Sequence, residues 1–304
     1  MTAAREFVTD GGLETDLIFN RGVDLPDFAA FPLVADTGGR RLLAEYYTAY
    51  AAIAAGAGAG LLLETPTWRA NQDWATRLGY DAQSLAGINR EAVTFLRGLA
   101  GTWSDRVGET RVSGQIGPRG DGYRPGAAVD PDEAAAYHRP QIAAFHEAGA
   151  DLATALTLTD VGEALGVVAA ARDVGLPVAV SFTVETDGRL PGGMTVADAV
   201  AEVDAAGGPA YFLLNCAHPE HIERGLGEDG AWRERIQGLR VNASTMSHEE
   251  LDNSEELDDG DPVALASAHE RLEAALPAVR IVGGCCGTDA RHVAAMWGQP
   301  APLA

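Results

Sequence analysis

The residues of this chain best suited to chemistry are its three cysteines. Cys285 and Cys286 are adjacent in RIVGGCCGT (280–288), and Cys216 ends YFLLNC (211–216). Neighbouring cysteines make poor disulfide partners, because a bridge between them distorts the peptide geometry. As thiolates they are good ligands for a soft tetrahedral ion such as Zn²⁺, provided the backbone bends. Gly283, Gly284 and Gly287 are expected to supply that bend. Each stretch reads as an apolar strand ending at its cysteines, so folding can gather three thiolates and leave a fourth position open. The competing reading is three buried free cysteines that pack as small hydrophobes.

Three thiolates make an electron-rich, net negative zinc site. A thiol entering it stays deprotonated near neutral pH and remains nucleophilic. The implied reaction is attack by that sulfur on an electrophilic carbon. The carbon must sit on a good leaving group, most simply a sulfonium. Onium ions are commonly received on aromatic faces. Trp68, in ETPTWRAN, is the candidate for that role, with Tyr123 a weaker one; each could equally be packing. A purely structural zinc site would be closed by a fourth protein ligand. His218, two residues after Cys216, is the residue to test for that, although Pro219 stiffens the turn.

The elements that must position these residues are legible as alternation. Eight short apolar runs, at 7–10, 60–65, 111–116, 151–156, 178–183, 211–216, 240–243 and 280–284, are bounded by glycine, proline or polar residues. Alanine- and leucine-rich helical segments lie between them, among them 41–55, 132–147, 161–174 and 262–276. This predicts one closed (β/α)8 barrel, a TIM barrel, over 1–304, rather than an open doubly wound sheet. The phosphate-loop and GxGxxG patterns are absent. Chemistry in such barrels sits at the C-terminal ends of the strands. Asp10, Gly11, Gly12, Glu64, Cys216, Asn242, Cys285 and Cys286 fall there.

Composition narrows the function. The net charge of -22 opposes binding to a nucleic-acid backbone. All 22 basic residues are arginine, which removes Schiff-base and phosphate-loop lysine chemistry. No apolar run is long enough to span a membrane, and the first residues lack a signal-peptide pattern. Few cysteines, odd in number, fit a reducing cytoplasm. The segment 249–261 carries eight acids and is expected to be a solvated loop or helix face.

DGGLET (10–15), SGQIGP (113–118), HRPQIAAFHEAGADL (138–152), SFT (181–183), LLNC (213–216) and GGCCGT (283–288) together resemble the homocysteine S-methyltransferase family, from about residue 7 to residue 297. That family includes the S-methylmethionine-dependent and betaine-dependent enzymes of methionine synthesis. The resemblance implies a barrel in which Cys216, Cys285 and Cys286 hold zinc. It also implies that Asp10, Gly11 and Gly12 seat an amino-acid acceptor. Asp10 could pair with its ammonium, and the two glycine amides could approach its carboxylate closely; alternatively Asp10 caps a helix over 13–20. Asn215 is placed to support the zinc ligands from behind.

One departure stands out. In DLATALTLTDVGEA (151–164), the family pattern has a glutamate where this chain has Leu156. That glutamate is a second contact for the acceptor's amino group, and leucine cannot replace it. The expected acceptor is therefore homocysteine or a related, less polar thiol, unless Asp10 suffices or Glu64 or Glu185 compensates. The sequence reading is thus a zinc-dependent thiol S-methyltransferase with a small sulfonium donor. The alternatives are a non-catalytic zinc- or thiol-binding barrel, or a demethylase of another methylated sulfur compound.

Overall fold

A computed structural model describes residues 4–302, apart from 121, 123–127 and 255. Tyr123 lies outside the described residues. Eight parallel strands close into one barrel in sequence order: β1 (Phe7–Val8), β2 (Gly60–Glu64), β3 (Thr110–Ile116), β4 (Leu152–Leu158), β5 (Val178–Phe182), β6 (Tyr211–Asn215), β7 (Ile236–Val241) and β8 (Ile281–Gly284). Closure is made by β8 on β1, with Phe7 beside Ile281 and Val8 beside Val282. The (β/α)8 architecture expected from the alternation is the one observed.

Alternate residues of each strand face opposite ways. One set, including Val8, Leu61, Leu63, Val112, Val180, Phe212, Leu214 and Val282, packs under the surrounding helices in the main core. The other set faces the barrel axis. At the bottom it is Phe7, Leu62, Leu152, Ala179, Leu213 and Ile281, a separate apolar cluster. Further up the barrel it becomes Thr9, Glu64, Ser113, Thr154, Ser181, Asn215 and Arg240, all buried.

Helices begin where carboxylates cap them. Asp36, Asp130, Asp160 and Asp261 accept from first-turn amides of Thr37–Ala57, Pro131–Glu147, Val161–Val174 and Pro262–Ala274. The first of these helices starts four residues before the expected 41, because the Asp36 cap holds two glycines in its first turn. Strand β7 likewise starts at Ile236 rather than 240. Gly238 belongs inside the strand: a Cβ there would lie 2.5 Å from Leu213 Cδ2 in the crowded interior. No described helix is long and apolar enough to cross a membrane.

The acidic segment is tied down by its own charges. Ser247 caps the short helix His248–Asp252, Asp258 accepts from Ser244, and Asp259 pairs with Arg291.

Candidate functional site

The three thiols converge because two strand ends are turned and pinned. Cys216 directly follows β6 with a left-handed backbone, φ 56°. Its N–H donates to Arg240 O (3.0 Å), and its carbonyl accepts from His248 Nε2 (2.7 Å). Cys285 directly follows β8 and donates to Val241 O (2.8 Å). The Thr288 N–H and hydroxyl return to Cys285 O at 3.0 and 2.7 Å. Of the three glycines expected to bend this turn, only Gly287 is left-handed, φ 77°; Gly283 and Gly284 are part of β8.

All three Sγ atoms lie within 4.8 Å of one another, with Cys216 and Cys286 3.6 Å apart. Tetrahedral zinc–thiolate bonds of about 2.3 Å place sulfurs about 3.8 Å apart, so the donor set fits such an ion. Among the described residues no other histidine, cysteine or carboxylate joins this cluster. His218 is occupied elsewhere: its Nδ1 accepts from Glu220 N–H and caps the helix Pro219–Gly225.

One cavity of about 40 Å³ is lined by nine of the residues singled out from the sequence, Asp10, Gly11, Gly12, Trp68, Leu156, Asn215, Cys216, Cys285 and Cys286, while Asn242 and His218 lie outside its lining. A second cavity of about 260 Å³ opens above it, walled by Phe19, Leu251, Leu257 and Asp258. Thr15, Phe28 and Cys286 line both.

Asn215 supports the thiols as a bridge. Its Oδ1 accepts from Thr157 N–H (2.8 Å) and Ser181 Oγ (2.6 Å), and its Nδ2 donates to Thr157 Oγ1 (2.8 Å) and faces Cys285 Sγ at 3.7 Å. It thereby holds Thr157 in a left-handed conformation, φ 62°, which costs about 1–3 kcal/mol for a non-glycine residue. The Asn242 amide oxygen is buried and unpartnered among the described residues, and its backbone N–H bonds Ala217 O. Trp68 Nε1 donates to Leu156 O at 3.4 Å, and its ring also carries the Arg69 guanidinium 5.1 Å from the centroid.

Asp10 is not a helix cap; the helix Leu13–Thr15 has Gly12 at its N-cap and no side-chain cap. Its Oδ1 pairs with Arg240 Nη2 at 2.7 Å, and its Oδ2 accepts from Tyr46 OH at 3.1 Å. Burial lifts the Asp10 carboxyl above its ordinary range, against the opposing pull of Arg240 and Tyr46. Arg240 also donates to Gly284 O, Thr9 Oγ1 and Gly11 O. The Gly12 N–H is committed to Thr288 O (3.0 Å).

Arg240 and Tyr46 were missed by the sequence reading. Strand periodicity could have found Arg240, since an arginine on the inward set of a buried strand needs an inward acid. Neither acid named as compensating for Leu156 lines the inner cavity. Glu185 pairs with His248 Nδ1 at 3.1 Å. Glu64 lies in the barrel interior, outside the lining of the inner cavity and close to the Ser113 and Thr154 hydroxyls. Burial pushes its carboxyl up to about 7, with the Arg240 charge pulling the other way.

The homocysteine S-methyltransferase family model matches residues 7–298. The homocysteine S-methyltransferase YbgG of Bacillus subtilis (strain 168) is 26% identical over 195 residues, a match covering 60% of this chain and 59% of YbgG. Among solved structures, the metallated form of the homocysteine methyltransferase MmuM from Escherichia coli is similar with a TM-score of 0.77 and 22% identity, covering 97% of this chain and 96% of MmuM. Its oxidized form is similar with a TM-score of 0.76 and 21% identity, covering 97% and 95%. At such identities the structural likeness establishes the shared barrel, and the family model, which spans nearly the whole sequence, shows that the chain belongs to the homocysteine S-methyltransferase family.

Proposed function

We propose that this protein is a zinc-dependent thiol S-methyltransferase. It moves a methyl group from a small sulfonium donor, of the S-methylmethionine type, to homocysteine or a related thiol. The observation that carries this reading is the convergence of three thiols, and of no fourth ligand among the described residues, on the lining of a recess that opens toward a larger outer cavity. Cys216, Cys285 and Cys286 would hold the ion, which when bound supplies a Lewis-acidic centre that keeps an acceptor sulfur deprotonated.

The protein's own residues do the positioning. Asn215 fixes the Cys285 side and braces Thr157. With the Gly12 amide committed to Thr288, Gly11 is the backbone group that meets the acceptor's carboxylate, while Asp10 and Arg240 form the charged floor. Trp68 and Phe28 wall the recess and keep water from the reacting sulfur. The donor enters through the outer cavity, which reaches the same cysteine turn at Cys286. As the acceptor sulfur's electron pair forms the new S–C bond, the methyl carbon leaves the donor sulfur, which departs as a neutral thioether. Free thiols with a metal role fit a reducing cytoplasm. The non-catalytic alternative wants a protein ligand in the fourth position, and His218 is engaged as a cap.

The test is incubation of the zinc-loaded protein with a panel of thiols and deuteromethyl sulfonium donors, followed by mass spectrometry. A deuteromethyl thioether is expected with homocysteine or a relative. Zinc-replete protein that labels no thiol with any donor would refute the assignment. Label leaving a deuteromethyl thioether, with no sulfonium serving as donor, would assign the demethylating direction.

A further inference from the structure

Four carboxylates come into question as partners for the acceptor's ammonium, and three are accounted for. Asp10 is matched by Arg240 and Tyr46, Glu185 by His248, and Glu64 lies outside the inner cavity. The fourth is Glu14. It lines the inner cavity beside Trp68, Leu156 and Cys285, and among the described residues it makes no ion pair and no hydrogen bond to another side chain. Its oxygens fall outside the thiol cluster, so it is not a fourth ligand.

Its position is fixed by its neighbours. Thr15 Oγ1 donates to Gly12 O (3.0 Å) and accepts from Gly287 N–H (3.1 Å), and Asp16 N–H bonds Gly12 O (2.9 Å). The single turn that carries Glu14 is therefore bolted to the cysteine turn. Burial pushes the Glu14 carboxyl up to about 7; its own backbone N–H opposes this, and the charges of Asp10 and Cys285 add to it. Arg69 pulls the other way but is the smallest contributor. A cavity carboxylate with only a weak counter-charge is stabilised by an arriving cation, because Coulomb attraction then offsets its desolvation.

Resting on the thiol-acceptor reading above, we infer that Glu14 is the counter-charge for the α-ammonium of the acceptor thiol, the function that Leu156 cannot supply. An ammonium offers three N–H donors to a carboxylate, whereas a sulfonium offers none and is served by an aromatic face. The inner cavity, at about 40 Å³, has room for the end of one small substrate, and that substrate must reach the thiols with its sulfur. A carboxylate on the same lining, away from the sulfurs, meets a cation a few bonds from that sulfur.

The experiment is calorimetric titration of the zinc-loaded protein, without donor, by homocysteine and by its des-amino analogue 4-mercaptobutyrate. The wild type is expected to bind homocysteine at least about 10-fold more tightly, the scale of one charge-assisted contact. Glu14→Gln should reduce that preference to about 2-fold by weakening homocysteine alone, with zinc content unchanged. Glu14→Asp, which keeps the charge, should retain most of it. Adding Leu156→Glu to Glu14→Gln should restore it. A wild type that does not distinguish the two thiols, or a ratio unchanged in Glu14→Gln, would overturn the inference. If both thiols are then methylated equally well, the methyltransferase reading stands and only the role of Glu14 falls. If neither thiol binds, both fall.

Discussion

At the bottom of the barrel the inward side chains are Phe7, Leu62, Leu152, Ala179, Leu213 and Ile281, none more than 6% exposed. Higher in the barrel they are Thr9, Glu64, Ser113, Thr154, Ser181, Asn215 and Arg240, equally buried. The lower group removes apolar surface from water at roughly 25 cal/mol per Å², which is favourable by itself. The upper group has no such return, since burying hydroxyls, amides and charges is unfavourable unless each finds a partner. Most do: Ser113 bonds Thr154 (2.8 Å), Ser181 bonds Asn215, and Arg240 bonds Asp10. The same barrel thus carries a layer that stabilises the fold below and a layer that holds a site in place above.

The cysteine cluster is where that comparison breaks most sharply. Wild-type protein should hold about one zinc per chain. The Cys285→Ser/Cys286→Ser double variant should hold almost none, while its lower barrel layer remains folded. Elemental analysis alongside circular dichroism checks both halves. Stoichiometric zinc in the double variant would remove the thiol cluster from the metal assignment.

Next in size is a paired comparison of the two layers. Arg240→Met leaves Asp10 buried without its counter-charge and should destabilise the protein by about 3–5 kcal/mol. Leu213→Ala opens a cavity in the lower layer and should cost about 2–5 kcal/mol. The readout that separates them is thiol affinity in the fraction that stays folded. Leu213→Ala should leave it within about 2-fold, whereas Arg240→Met should lower it by about 10-fold or more, at roughly 1.4 kcal/mol per factor of ten. Equal losses of affinity in both variants would mean that the layers are not functionally distinct.

Much of this division is legible in the sequence, for identifiable reasons. Buried parallel strands are continuous apolar runs, so all eight are found, and the cysteines mark the ends of two of them. The start of β7 at Ile236 is harder to read, because Gly238, which makes room for Leu213, interrupts the apolar run. Arg240 sits inside the expected strand 240–243, yet its partner Asp10 is 230 residues away and meets it only when the barrel closes. Glu14 sits inside a motif read for its aspartate and glycines. No periodicity points it anywhere, since its direction is set by one helical turn followed by the irregular turn Asp16–Asn20. Leu156 is readable as a departure from a pattern, but the cavity it lines is a tertiary fact.

The smallest expected effect lies at the boundary between the two layers, at Glu64. This side chain is 1% exposed and makes no ion pair among the described residues. Burial lifts its carboxyl from 4.5 to about 7. The folded state therefore holds the Glu64 proton more tightly than the unfolded chain does. Its favourable contribution is complete below the unfolded value and is lost as pH rises through about 7. A shift of that size corresponds to at most about 3 kcal/mol, at 1.36 kcal/mol per unit. Glu64→Gln keeps the shape and cannot ionise, so its stability should not carry this loss. The gap between variant and wild type should open from about pH 4.5 and level off above about pH 7, with the variant gaining about 1–3 kcal/mol relative to wild type between pH 5 and pH 8. Urea denaturation of both proteins at several pH values measures the gap directly. Groups titrating elsewhere, the cysteines included, contribute equally to both proteins and cancel in the difference. A gap independent of pH would show that Arg240 neutralises Glu64 as well as Asp10, and that the polar layer carries no uncompensated charge.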